Sequence, residues 1–96
     1  MSWAWDPRKD AANRRKHGLS FDTAQLVFDD PFQLSRPDPH RDGNRWQTLG
    51  AIGRTVLFVV HTEPVEPPTA GEPVGRIISA RKATPRERRA YEAGDF

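Results

Sequence analysis

Three groups of residues have types and spacings that could do chemistry. His61 and Glu63 lie two apart at the end of the apolar run "TVLFVVHTE", so on a strand both point to one side. An imidazole and a carboxylate there could supply a general base or hold a substrate by hydrogen bonds. The plainer reading is a histidine at a strand end paired to a local carboxylate. Arg76, Ser79 and Arg81 follow on "RIISAR", and Arg88 and Tyr91 come next, three apart. Guanidinium forks hold two phosphate oxygens at once and stabilise charge developing on phosphorus. A phenol could move a proton or stack on a base; equally, the Tyr91 ring could cap the core while the arginines stay in water. The third group is Lys16 and His17, which close the run "NRRKHG". The partial negative charge of a helix C-terminus favours cations by a few tenths to about 1 kcal/mol, which accounts for them without any function. For each group both readings stay open on spacing alone.

Other chemistries lack their residues. The 96-residue chain has no cysteine, which excludes disulfides, thiolate catalysis and cysteine-bound zinc. Its three histidines, at 17, 40 and 61, do not show metal-ligand spacing, so no metal and no cofactor is expected. There is no phosphate-cradling glycine loop, no H-E-x-x-H helix and no nucleophile elbow. The net charge is only +2, but its placement is uneven. Residues 8–16 carry Arg8, Lys9, Arg14, Arg15 and Lys16 against Asp10, and residues 76–89 carry Arg76, Arg81, Lys82, Arg86, Arg88 and Arg89 against Glu87. Acids gather between them. Two basic segments at opposite ends suggest one basic face if the fold joins them; two solvated helix faces are the alternative. No apolar run approaches the about 18 residues of a membrane span, and "MSWAWDPRKD" lacks the apolar stretch of a signal peptide, so a cytoplasmic protein with no membrane association is expected.

The elements that must position these groups fit one domain, residues 1–96. Ser2 to Trp5 reads as a short strand with Trp3 and Trp5 on one side. Asp6-Pro7 starts a helix that runs to about His17, where Gly18 suits the left-handed closing position. Its apolar face is thin, so it must lean on its neighbours. Ser20 caps a second helix whose Phe21, Ala24, Gln25 and Phe28 fall at i, i+3, i+4, i+7, with Leu26 and Val27 broadening the stripe. Strands follow: "FQLS", then "RWQTLGAI" and "TVLFVVHT" as a hairpin around Gly53-Arg54, then "RIISAR". On that last strand, alternation puts Ile77, Ser79 and Arg81 on one face and Ile78 and Ala80 on the other. Residues 63–75 hold four prolines and two glycines and read as a mobile loop. Thr84-Pro85-Arg86-Glu87 is a capping box that opens a final helix to about Ala93. The class is α+β, an antiparallel sheet of about four strands carrying two N-terminal helices and one C-terminal helix.

Three blocks, "WDPRKDAANRRKHGLSFDTAQLVFDDP", "VVHTE" and "RIISARKATPRERRAYE", resemble the BrnT family of bacterial toxins in type II toxin–antitoxin modules. They occur in the family's order, and that family is similar in fold to the RelE-like ribonucleases. The resemblance implies a cytoplasmic endoribonuclease that stops translation by cutting RNA without a metal, through attack of a 2′-hydroxyl on the adjacent phosphate. It also implies a ribbon-helix-helix antitoxin of the BrnA kind. That partner would form a two-plus-two heterotetramer with the toxin and bind operator DNA. The family blocks hold Lys16, His17, His61, Arg76, Ser79, Arg81, Arg88 and Tyr91. The order of expectation for catalysis is Arg81, Arg76, His61, Tyr91, with Glu63 as base or orienter. RNA binding falls to Lys16, His17, Ser79 and Arg88, with Arg14 and Arg15 solvated or steering RNA. A protein that binds RNA without cutting it, or that only pairs with the antitoxin as co-repressor, would use the same basic residues.

Overall fold

Asp6, Gly18, Ser20 and Thr84 punctuate the chain as their types predict. The computed structural model describes residues 1–40, 43–66 and 71–96. The order is β1 (Ser2–Ala4), α1 (Pro7–His17), α2 (Phe21–Ala24) continued by a 3₁₀ segment (Gln25–Asp29), β2 (Leu34–Pro37), β3 (Trp46–Ile52), β4 (Thr55–His61), β5 (Val74–Lys82) and α3 (Pro85–Ala93). The Asp6 carboxylate accepts from the Arg8 amide at 2.8 Å, and Gly18 ends α1 at φ 68°, a backbone position that a side chain would strain. Ser20 accepts from the Thr23 amide, and Thr84 and Glu87 form the reciprocal capping box.

The second helix departs from its expected period. It is α-helical only to Ala24, and the buried positions are Phe21, Ala24 and Val27, the three-residue spacing of a 3₁₀ helix. Gln25 is not part of the stripe, and Leu26 stays 47% exposed. Val27 sits directly on the sheet: a Cβ on Gly50 of β3 would stand 2.7 Å from the Val27 Cβ.

The sheet has five strands in the order β1-β5-β4-β3-β2, one more than the about four expected. β1 runs parallel to β5, so the sheet is mixed; the other pairs are antiparallel. β2 starts at Leu34, two residues later than "FQLS" suggests. The β3–β4 hairpin turns at Gly53-Arg54 as predicted. Residues 67–70 of the expected mobile loop lie outside the described residues. Its described ends are bound, with Val65 and Val74 exchanging backbone bonds at 3.1 and 2.9 Å.

α1, α2 and the 3₁₀ segment cover one side of the sheet, and α3 covers part of the other. The first side holds Phe21, Ala24, Val27, Leu57, Val59, Ile77 and Ala80, with Trp3 and Trp5 packed against them. The second holds Leu49, Val56, Phe58 and Ala83, flanked by Ala90, Tyr91 and Phe96. Ile77 and Ala80 therefore share a side, which corrects the simple alternation along "RIISAR". The register shifts there: Ser79 faces Val60, but Ile77 faces His61, so Ile78 is an extra residue and β5 carries a bulge.

α1 leans on the sheet through polar atoms. The buried Asn13 amide donates to the carbonyls of Ala80 (2.8 Å) and Leu19 (2.9 Å), and its oxygen accepts from the Ala80 amide at 3.1 Å. β1 pairs with β5 only from Val74 to Arg76, so Asn13 takes the place of a missing strand at Ala80. Asp10, one turn earlier, accepts from the Phe21 amide at 2.8 Å and fixes the joint between α1 and α2.

Candidate functional site

The bulge decides which residues of β5 share a side of the sheet. Arg76 precedes Ile77 and so lies on the α3 side, as do Ser79 opposite Val60 and Arg81 opposite Phe58. In an unbulged strand Arg76 and Arg81, five apart, would point to opposite sides. Here they share one.

Arg81 is held from two directions. Its guanidinium lies 4.1 Å from the Phe58 ring centroid, and it grips both oxygens of Glu87 at 2.8 and 3.0 Å. A third bond runs to the Lys82 carbonyl at 3.2 Å. A guanidinium has five N–H donors, so two remain for a phosphate oxygen. Burial alone would raise the Glu87 carboxyl. The bonds from Arg81 and Thr84 outweigh it and hold the group below the ordinary carboxylate value.

Across the sheet stands Arg36 of β2, which nothing in the sequence marked out. It faces Gln47, to which its Nε donates at 2.8 Å, and Gln47 in turn donates to Asp38 at 2.6 Å. The Arg36 guanidinium lies 3.9 Å from the Phe96 ring centroid, and Phe96 meets Phe58 edge-on at 6.5 Å. Cation, ring, ring and cation thus cross the sheet from Arg36 to Arg81. Beside them opens a cleft of about 470 Å³ lined by Arg36, Thr84, Arg86, Glu87, Ala90, Asp95 and Phe96. A hairpin register was needed to see Arg36; its local sequence, between prolines, offers only a loop.

Tyr91 is close to this group but already engaged. Its hydroxyl donates to Asp30 at 2.5 Å, and that bond, then burial, pushes the phenol up to about 12. Asp30 also accepts from the amides of Ala51 (2.8 Å) and Phe32 (2.9 Å). Burial acts to raise its carboxyl, but the three hydrogen bonds prevail and keep it ionised below its ordinary value. Asp30 ties the end of the 3₁₀ segment to β3 and to α3, a role hidden in the sequence behind its ordinary place before Pro31. Arg88 is exposed on the same helix.

His61 and Glu63 are not brought together. His61 is 6% exposed and lies on the α1 side of the sheet, away from Arg81. Trp3 and Phe28 stack on each other at 3.8 Å, and the imidazole lies beside the stack, perpendicular to both rings, at 5.1 and 4.9 Å between centroids. Nδ1 lies 2.8 Å from the Thr62 carbonyl, which can only accept, so Nδ1 carries the proton. Nε2 then accepts from the Thr48 hydroxyl at 2.6 Å, and Ser35 donates to Thr48 at 2.7 Å. Burial lowers the imidazole pKa, with the Thr62 bond opposing it, so the ring stays neutral. Glu63 lies past the end of β4, exposed, its amide donating to Asn44 at 3.1 Å.

The two basic segments do not form one face, because α1 and α3 lie on opposite sides of the sheet. α1 reaches the sheet at the outer edge of β5, where Asn13 bonds Ala80. There Lys9, Lys16 and His17 of α1 line a shallow depression of about 220 Å³ together with Ile78 and Ser79. Arg14 and Arg15 are exposed elsewhere on α1. Among the described residues, no group of three or more His, Cys, Asp or Glu is placed to hold a metal ion, and no helix is long and apolar enough to cross a membrane.

Comparison with curated proteins finds no match. A family model described as "Ribonuclease toxin, BrnT, of type II toxin-antitoxin system" matches residues 5–87, which take in α1, the whole sheet apart from β1, and the first turn of α3. The chain belongs to the BrnT family of ribonuclease toxins of type II toxin–antitoxin systems.

Proposed function

We propose that this chain is a metal-independent endoribonuclease that cuts RNA on the α3 side of its sheet and thereby stops translation. The observation that carries the reading is the placement of Arg76, Ser79 and Arg81 on one sheet side, produced by the bulge opposite His61, with Arg36 of β2 on that side too. A 2′-oxygen attacks the adjacent phosphorus and gives up its proton to solvent water. The bond to the 5′-oxygen breaks, and that oxygen takes a proton. The products are a 2′,3′-cyclic phosphate and a 5′-hydroxyl. Charge builds on the non-bridging oxygens during attack, and the free donors of Arg81 with the exposed Arg76 stabilise it. Lys16, His17, Arg14, Arg15 and Arg88 supply phosphate contacts that draw the strand toward β5. Tyr91 and His61 act through packing on this reading, since both have their polar atoms committed inside the protein.

The same proposal includes a RelE-like relationship in fold, a cytoplasmic site of action and a ribbon-helix-helix antitoxin in a two-plus-two complex that binds operator DNA. Cleavage of end-labelled RNA in EDTA, with the product ends identified, tests the catalytic part. Cyclic phosphate ends at undiminished rate are expected; dependence on added divalent metal would sink it. One observation favours a second reading, binding without cleavage: Glu87 already occupies both arms of the Arg81 fork. Tight, salt-sensitive RNA binding with no product would establish that alternative.

A further inference from the structure

We propose that the cleft between α3 and the Arg36–Phe96 pair is a nucleobase subsite. It takes an unpaired RNA base that carries an exocyclic amino group and so biases where the strand is cut. This rests on the ribonuclease reading above. Bases stack on aromatic rings and on guanidinium planes, whichever base it is, because each has a π face. Here a ring and a guanidinium are already stacked at 3.9 Å and braced before any ligand arrives, Arg36 by Gln47 and Gln47 by Asp38. The cleft of about 470 Å³ has room for a base with its sugar, and Arg86 on its wall can meet the adjoining phosphate.

The polar walls favour some bases over others. Two carboxylates line the cleft, Glu87 and Asp95. Glu87 is committed to Arg81 and to the Thr84 amide. Asp95 has no side-chain hydrogen bond or ion pair within the described residues, and an ionised carboxylate can only accept. Adenine, cytosine and guanine offer it an amino group. Uracil offers carbonyl oxygens on either side of one N–H, and these repel a carboxylate. The family match covers residues 5–87, so Arg36, Thr84, Arg86 and Glu87 of the cleft lie within it, and Ala90, Asp95 and Phe96 lie beyond it.

Oligoribonucleotides of uniform A, C or U sequence, methylated at every 2′-oxygen to block cleavage, test this by fluorescence anisotropy at fixed salt. Wild-type protein should bind the A and C strands about tenfold more tightly than the U strand, the scale of one good base contact. Phe96→Ala should lose about tenfold on A and C, and Phe96→Trp should restore it. Phe96→Leu keeps an apolar contact with Phe58 and should lose binding while unfolding at the wild-type temperature. Asp95→Asn should level the A and C strands with U. Equal binding of all three strands by wild-type protein, or unchanged binding in the Phe96→Leu and Asp95→Asn variants, overturns the subsite. Cleavage of unmodified RNA, measured alongside, separates the two readings. Active enzyme with indifferent variants removes only the subsite, whereas protein that neither binds nor cuts RNA removes both.

Discussion

The two sides of the sheet are built to different standards. On the α1 side seven apolar residues are 2% exposed or less, and even the polar groups there are bonded: Asn13 to Ala80, His61 to Thr48 and Thr62. On the α3 side four buried apolar residues support a surface where arginines lie on aromatic rings beside an open cleft. A small domain has one core's worth of apolar surface to spend. Concentrating it on one side leaves the other free to hold cations in fixed positions, where they are available to an anion. Substitutions on the two sides should therefore fail in different ways.

The largest contrast is between Arg81 and Asn13. Arg81→Ala should slow RNA cleavage by about 10²- to 10³-fold, the usual loss for one donor aimed at developing charge. Stability should fall by only about 1–2 kcal/mol, since the pair with Glu87 is partly exposed and the ring contact is modest. Asn13→Ala should do the reverse. It strands the Ala80 amide and carbonyl in a buried place, at a cost of about 3 kcal/mol in urea unfolding. At temperatures where that variant is folded, its cleavage should stay near wild type. An Asn13 variant that is stable but inactive would break the division between the sides.

Asn13 also shows what could and could not be read in advance. The helix starts and the close of α1 were legible because capping is local: Asp6, Pro7, Gly18, Ser20 and the Thr84–Glu87 box act within a few residues of themselves. The hairpin was legible from its turn and its apolar runs. What alternation along "RIISAR" missed is one inserted residue at Ile78, and a bulge is a property of two strands in register, absent from either alone. Arg81 and Arg76 were legible as candidates through residue type and family resemblance, but their shared side depends on that bulge. Arg36, Asp30 and Asn13 act across 11 to 67 positions of sequence, and no spacing rule reaches that far.

His61 sharpens the comparison through pH. Its imidazole is buried neutral, with a pKa held below the ordinary value of 6.5. The unfolded chain takes up a proton as pH falls through about 6.5, and the folded chain does not until lower pH. Unfolded protein thus binds more protons in that window. Stability should be full above pH 6.5 and decline as pH falls, by no more than one proton's worth, about 1.4 kcal/mol per pH unit. Urea midpoints between pH 7.5 and 5 measure it, and His61→Gln should flatten the curve. A flat wild-type curve would mean that the Trp3–Phe28 box admits the charged ring.

The smallest effect should come from Tyr91, and it separates support from chemistry. Tyr91→Phe removes one O–H while leaving the ring against the α3-side core, and Asp30 keeps its bonds from Ala51 and Phe32. The expected loss is about 1 kcal/mol of stability, the worth of one hydrogen bond, with cleavage little changed. A phenol pushed up to about 12 holds its proton at neutral pH, and its hydroxyl is committed to Asp30. If instead Tyr91→Phe cost cleavage about 10²-fold with little change in stability, proton transfer would belong to Tyr91. The Asp30 bond would then have to open when RNA binds, and Asp30→Asn, which weakens that bond, should raise the cleavage rate.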